Sequence, residues 1–204
     1  MLEAHQLAAQ RGSAVLFAGV DFSLRSGDVL LVTGANGSGK TTLMKIVAGL
    51  TQPVAGRLAW QGAEVAPFDR ALRATTLYIG HAPALNDELS AEENLCALVR
   101  LHGASADAEA VRAALAAWSL DAQRSLPARA LSQGQRRRVG LSRLRLLRRT
   151  VWVLDEPTTA LDSDGVALLE QHLSAHLAGG GIALVATHHD LTLSSGAKCK
   201  LNLQ

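Results

Sequence analysis

The sequence predicts an α/β fold, and three observations support that prediction. Short aliphatic runs typical of buried strands alternate with stretches of helical periodicity. A glycine-rich loop directly follows one of these runs and leads into a helix. A mostly helical segment, at about residues 82–148, separates two halves of the strand pattern. We therefore expect one domain over residues 1–204, with a mostly helical subdomain inserted at 82–148.

The strands are predicted at the aliphatic runs, and the helices lie between them. The first strand covers residues 29–32, and the helix after it, residues 40–49, has an apolar face. Residues 90–147 are expected to be mostly helical, with breaks near Gly103 and Pro127. The four remaining strands are predicted at residues 57–60, 77–79, 151–154 and 182–186.

The composition limits the classes of protein. Of 204 residues, 48% are hydrophobic and 19% are charged, so the chain can bury an ordinary core. Only three Trp, one Tyr and three Phe are present, so stacking platforms for nucleic-acid bases are not expected. No apolar run reaches the roughly 18–20 residues that span a bilayer, and residues 1–6 do not resemble a secretory leader. Cys96 and Cys199 form no CxxC pair, so we expect two reduced thiols.

The glycine-rich loop carries the strongest functional signal. Residues 34–41 match G-x-x-x-x-G-K-[ST] at every fixed position, after a strand and before a helix. Its glycines let successive backbone N–H groups converge on phosphate oxygens. Lys40 adds a charge between the outer phosphates, and the Thr41 hydroxyl can ligate Mg²⁺. We predict an ATP-type triphosphate site formed by Gly34, Ala35, Asn36, Gly37, Ser38, Gly39, Lys40, Thr41 and Thr42.

Polar side chains follow two of the predicted strands at the ends where open α/β sheets bind ligands. We expect Asp155 to hold Mg²⁺, directly or through water, and Glu156 to orient or deprotonate the attacking water. An isolated Asp-Glu pair is more typical of a helix N-terminus, but the phosphate loop favours the catalytic interpretation. We expect His188 rather than His189 to reach the γ-phosphate or the attacking water, because His188 lies nearer the strand end.

An arginine-rich segment lies in the predicted helical region. Residues 136–149 hold seven arginines and no acid, and the rest of the chain has a net charge of −5. Such a run could contact nucleic acid or anionic lipid, but we favour a half-buried helix with arginine stems packed along apolar neighbours. Before it, Ser132 is a good helix N-cap in residues 131–135. That helix start could equally face a phosphate, and these residues alone leave both interpretations open.

Together, these segments resemble the nucleotide-binding subunits of ATP-binding cassette (ABC) transporters. Residues 34–42 resemble the Walker A loop of this family, and residues 131–135 resemble its signature, commonly LSGGQ. Residues 151–156 resemble Walker B, residues 160–162 the D-loop and residues 187–188 the H-loop. The resemblance covers nearly the whole chain, and the signature makes it specific to this family. It implies a P-loop NTPase core of the ABC ATPase type, with an antiparallel β edge near the N-terminus.

The resemblance also implies partners. Two ATPase subunits would form a head-to-tail dimer with ATP between one subunit's Walker A loop and the other's signature. Ser132, Gly134 and Gln135 would then contact the partner's γ-phosphate. ATP would close the dimer and hydrolysis would reopen it. A membrane permease subunit would hold the pair peripherally at the cytoplasmic face of the inner membrane, with no nucleic acid involved.

Two departures from the family pattern narrow the resemblance. His81 replaces the glutamine that ligates Mg²⁺ and senses the membrane subunit, and Arg11 replaces the aromatic residue that stacks on adenine. A guanidinium can also stack on a base. Both departures resemble the haem exporter ATP-binding subunits of cytochrome c maturation, which also share the Leu-Phe pair at 16–17 and the Trp-x-Gly segment at 60–62.

This narrower resemblance implies a haem exporter permease as the partner. ATP hydrolysis would then power haem export or release of the haem-loaded chaperone in c-type cytochrome maturation. An ABC ATPase for another cargo is one alternative. A soluble regulatory ABC ATPase that acts on nucleic acid through residues 136–149 is the other.

Overall fold

The computed structural model describes residues 1–204, and the chain divides into two compact units. The first unit comprises Met1–Gly80, Arg149–Glu156 and Leu173–Gln204. The second comprises His81–Arg148 and Pro157–His172. None of the helices has both the length and the apolar character needed to cross a bilayer.

The secondary structure follows the chain in this order. The strands are β1 (Leu2–Arg11), β2 (Ala14–Leu24), β3 (Val29–Gly34), β4 (Ala55–Trp60), β5 (Ala63–Val65), β6 (Thr76–Ile79), β7 (Val151–Asp155), β8 (Ile182–Ala186) and β9 (Lys198–Leu203). The α-helices are α1 (Lys40–Val47), α2 (Arg70–Thr75), α3 (Ala91–Leu101), α4 (Ala108–Ala116), α5 (Gln133–Leu141), α6 (Arg143–Leu146) and α7 (Ser163–Ala178).

The first unit contains both sheets. One is antiparallel, with the strand order β2-β1-β4-β5. The other is parallel, with the order β6-β7-β8-β3-β9. Every residue of β7 and β8 is buried, as is typical of parallel strands covered on both faces. Helix α1 packs on β3, β7 and β8, so the carboxyl ends of these strands meet beside the start of α1.

The second unit is helical. Helix α3 packs on α4, α5 and α6 around an aliphatic core that includes Leu95 and Leu115. Reciprocal capping boxes fix the starts of α3 and α5, where Ser90 pairs with Glu93 and Ser132 with Gln135. These caps satisfy backbone donors that would otherwise lack partners at the two helix starts.

The predicted α/β fold and its antiparallel edge are confirmed. All five predicted strands are present, each matching its expected range or extending it by one or two residues. The helix expected over residues 40–49 ends at Val47, two residues before Gly49, which adopts a left-handed φ of 67°. The sequence interpretation omitted the outer strands β1, β2, β5 and β9 and the helices α2 and α7.

Candidate nucleotide-binding site

The phosphate loop is held tightly between two strands. Gly34 has a φ of 144°, and a Cβ there would run into the Leu203 carbonyl on β9. Gly39 has a φ of 96°, and a Cβ there would lie 2.9 Å from the Phe17 ring on β2. Only glycine satisfies both the backbone conformation and the close approach at these two positions.

The start of α1 presents the donors that a phosphate needs. Gly39 is its N-cap, no side chain accepts a hydrogen bond from its first turn, and that turn holds no acidic residue. The Ser38 hydroxyl is buried and has no hydrogen-bond partner. A phosphate oxygen would satisfy both the first-turn N–H groups and this hydroxyl, so the residues present fit a triphosphate.

Lys40 lies inside the loop, where it is only 7% exposed. Its Nζ donates to the carbonyl oxygens of Gly34 at 2.8 Å and Ala35 at 3.2 Å. The same ammonium lies 3.9 Å from Oε1 of Glu156. Thr41, the next residue, is exposed at the start of α1.

Asp155 ends strand β7 and is 1% exposed. The Tyr78 hydroxyl donates to its Oδ2 at 3.4 Å. The buried carboxylate of Asp155 and the hydroxyl of the exposed Thr41 are oxygen ligands of the kind that Mg²⁺ prefers together with phosphate oxygens. Asp155 and Thr41 therefore fit the magnesium site predicted for them.

Glu156 has an unusual backbone conformation and lies close to two basic side chains. Its φ is 51°, a left-handed value that is uncommon outside glycine. Its N–H donates to the Ala186 carbonyl at 2.9 Å, and its Oε1 lies 3.3 Å from Nε2 of His188. His189 uses its backbone N–H instead, which donates to Oγ1 of Thr187 at 3.0 Å. The structure thus brings together Lys40, Glu156 and His188, while the catalytic roles remain predictions.

Arg11 lies at the tip of the β1–β2 hairpin. It pairs with Ala14 across a turn at Gly12, whose φ is 60°. Its side chain is exposed, as is the neighbouring Val15 at 70%. The guanidinium is therefore accessible to a ligand, and its contact with a base remains a prediction.

The signature residues form the start of α5 in the second unit. The Ser132 hydroxyl accepts a hydrogen bond from the Gln135 N–H at 3.2 Å, and Gln135 Oε1 accepts one from the Ser132 N–H at 2.9 Å. A Cβ on Gly134 would lie 2.7 Å from the Ala160 carbonyl oxygen. Ser132 is therefore a helix cap, but its hydroxyl proton and the Gln135 amide nitrogen are still available to donate.

A cleft of about 430 Å³ opens beside this helix start, with Ser132, Gly134, Gln135 and Asp162 among its lining residues. Asp162 accepts a hydrogen bond from the Gly165 N–H at 2.9 Å and pairs with Arg138. These contacts, with the Gly165 bond contributing most, lower the pKa of the Asp162 carboxyl. The sequence interpretation did not identify this pair, although an aspartate before a helix is a recognisable N-cap signal.

The arginine-rich segment is half-buried. Arg137 is 3% exposed, and its Nε and Nη1 donate to the carbonyl oxygens of Pro157 at 3.2 Å and His81 at 2.9 Å. Arg143 is 6% exposed and donates to the Gly140 carbonyl at 2.9 Å. Burial, with a smaller contribution from Arg137, lowers the pKa of Arg143 to about 10. Inward-facing guanidiniums support the packing interpretation over a nucleic-acid interface.

Comparison with known proteins places these features in one family. The sequence model of the ABC transporter family matches residues 17–159. The cytochrome c biogenesis ATP-binding export protein CcmA of Cupriavidus necator is 47% identical over 188 residues, which cover 92% of this chain and 83% of that protein. The protein of the same name from Pseudomonas putida KT2440 is 46% identical over 202 residues, covering 99% of this chain and 96% of that protein.

A solved structure shares the fold. The dimeric, post-hydrolysis structure of the ATP-binding cassette MJ0796 with ADP and Pi has a TM-score of 0.78 and 22% identity, covering 93% of this chain and 88% of that one. The family match spans well over half of the sequence, and the relatives match it nearly end to end. The chain therefore belongs to the ABC transporter family, with the cytochrome c biogenesis ATP-binding export proteins among its relatives.

Proposed function

We propose that this chain is the ATP-hydrolysing subunit of a membrane ABC complex that powers haem export, or release of the haem chaperone, in c-type cytochrome maturation. The observation that carries the ATPase assignment is the convergence of Lys40, Glu156 and His188 in the first unit. The nearly full-length likeness to cytochrome c biogenesis ATP-binding export proteins supports the pathway.

ATP binding begins with an exchange of hydrogen bonds in the phosphate loop. The Lys40 ammonium leaves the carbonyl oxygens of Gly34 and Ala35 and contacts the outer phosphates. The first-turn N–H groups of α1 and the Ser38 hydroxyl donate to phosphate oxygens. Arg11 stacks on the base from the β1–β2 hairpin.

Hydrolysis follows from the position of the Glu156 carboxylate. Glu156 accepts the proton of a water whose oxygen attacks the γ-phosphorus, while the bond from that phosphorus to the leaving ADP oxygen breaks. His188, next to the carboxylate, orients the water or a γ-phosphate oxygen. Thr41 and Asp155 would hold Mg²⁺, which would supply charge stabilisation to the phosphates.

The signature residues serve a second copy of the chain in this proposal. Ser132 and Gln135 keep unused donors, and Gly134 leaves no side chain over the start of α5. A head-to-tail dimer would place these donors on the γ-phosphate that the other copy binds. The dimeric form of the MJ0796 cassette is consistent with this arrangement.

The complex assembles on a permease at the cytoplasmic face of the inner membrane. We propose that the loop at His81 and the helical second unit form the docking surface. The partner would be a haem exporter permease, and nucleic acid plays no part. The inward-facing Arg137 and Arg143 favour this proposal over a regulatory ATPase that binds DNA or RNA.

The pathway assignment is tested by release of the haem chaperone in membranes carrying Glu156→Gln. We expect the chaperone to stay on its membrane complex while ATP still binds. Normal release with hydrolysis abolished would show that ATP turnover has another purpose. Membranes carrying the wild-type chain provide the control for complex assembly.

A further inference from the structure

The backbone at Glu156 is strained. Its φ of 51° is left-handed, and Pro157 follows it directly, which restricts the backbone further. A non-glycine residue in such a conformation costs about 1–3 kcal/mol and persists only where the surroundings hold it. Contacts on both sides of Glu156 are therefore needed to keep its carboxylate in place.

The two flanking contacts come from different parts of the chain. On the amino side, the Glu156 N–H donates to the Ala186 carbonyl of β8 at 2.9 Å. On the carboxyl side, the Pro157 carbonyl accepts from Nε of Arg137 at 3.2 Å. The same guanidinium donates through Nη1 to the His81 carbonyl at 2.9 Å.

We propose that Arg137 is a positioning residue that holds the backbone at Glu156 and ties it to the loop at His81. The proposal rests on the proposed function, in which Glu156 is the general base. A displacement of the His81 backbone by a docked partner would pull on the guanidinium that holds Pro157.

An arginine suits this position for a physical reason. A guanidinium is planar and offers several donors in a fixed fork, so Arg137 can hold two carbonyl groups at once. A lysine has one ammonium on a flexible stem and would hold such a pair less rigidly. Methionine is of similar length but has no hydrogen-bond donor, so it would release both carbonyls.

The test compares Arg137→Met and Arg137→Lys with Glu156→Gln in the purified full-length chain. Arg145→Met is the matched control, because Arg145 lies on the neighbouring α6 and is exposed. We expect Arg137→Met to lower kcat about tenfold or more, while the Kd for ATP stays within about twofold. Arg137→Lys should recover part of that loss, and Arg145→Met should behave like the wild type.

A double variant separates positioning from general destabilisation. If Arg137 acts through the Glu156 carboxylate, Arg137→Met should cause no further loss of rate in a Glu156→Gln background. An equal fold-loss in both backgrounds would overturn the proposal. If Arg137→Met is too unstable to measure, Arg137→Lys provides the test. A folded Arg137→Lys variant with the wild-type kcat would then overturn the proposal.

The failure of this proposal is distinguishable from failure of the proposed function. A slow Glu156→Gln variant beside a fully active Arg137→Met variant would reject only the role of Arg137. Wild-type hydrolysis by Glu156→Gln would reject Glu156 as the base and, with it, the positioning role.

Discussion

At the residue scale, Lys40 and Glu156 lie 3.9 Å apart and are assigned different tasks. Lys40→Ala should weaken ATP binding, because it removes the ammonium that fills the phosphate loop. Glu156→Gln should leave binding intact and slow hydrolysis by roughly two or more orders of magnitude. Equilibrium ATP binding and phosphate release measure the two effects separately.

Lys45→Ala is the matched control for Lys40→Ala, since Lys45 is exposed on the same helix α1. It should retain wild-type binding and turnover. If Lys40→Ala bound ATP as tightly as Lys45→Ala does, the triphosphate assignment of the loop would be wrong.

His81 provides a second prediction at this scale. Its carbonyl is held by Arg137, but its side chain is exposed. His81→Gln should therefore change the ATPase rate of the isolated chain by less than about twofold, because the backbone contact survives. A collapse of that rate on the same assay would show that the imidazole takes part in the chemistry.

At the element scale, helix α7 carries two histidines whose environments disfavour protonation. Burial lowers the pKa of His176, which stacks on Trp152 with ring centroids 3.8 Å apart. Burial also lowers the pKa of His172, and the positive charge of Arg145 lowers it further. The ring centroid of His172 lies 4.8 Å from that of Trp118. Both imidazoles are therefore harder to protonate in the folded chain than in the unfolded one.

The pH dependence of stability follows from these lowered pKa values. The unfolded chain takes up protons below the usual histidine value of 6.5, whereas the folded chain resists them. The stabilisation is therefore present above that pH and is lost as the pH falls below it. The free energy of unfolding, measured with urea, should fall from pH 8 to pH 5.5. The fall should be smaller for the double variant His172→Gln/His176→Gln than for the wild type.

The element scale also shows what the sequence could and could not predict. The strands at the core of the parallel sheet, β7 and β8, are almost entirely apolar runs, so the sequence predicts their positions. In β1 the alternation of buried and outward side chains is interrupted at Gln6, whose φ is 49°. The sequence pattern therefore did not predict this strand. Helix α7 does carry a readable signal, since Leu169, Leu173 and Leu177 are buried at four-residue spacing.

The nucleotide-binding site also has features that the sequence predicts and features that it does not. The phosphate loop was predicted because its chemistry requires fixed residue types at fixed spacing. The burial of Arg137 was not predictable, because seven arginines lie in one segment and only packing selects the buried ones. The left-handed backbone of Glu156 has no sequence signal either, since glutamate ordinarily avoids it.

At the scale of the whole molecule, the head-to-tail dimer predicts complementation between two inactive variants. Lys40→Ala keeps its signature residues, and Ser132→Arg keeps its phosphate loop. Mixing the two chains should restore hydrolysis at one of the two sites of each mixed dimer, which gives about half of the wild-type rate per mixed dimer and about a quarter for a randomly associated equal mixture. Each chain alone should stay inactive, and phosphate release against the mixing ratio measures the recovery. No recovery at any ratio would contradict a shared site.

The two indole–imidazole contacts give the chain a built-in optical readout. Trp118 and Trp152 are two of the three tryptophans. Trp152 lies against His176 within the first unit, and Trp118 lies against His172 within the second. A charged imidazole quenches indole emission far more than a neutral one, so acidification would dim each tryptophan as its own neighbour ionises. Replacing Trp60 and one of these two indoles by phenylalanine would leave a single tryptophan, so steady-state fluorescence could follow each unit separately without an attached dye.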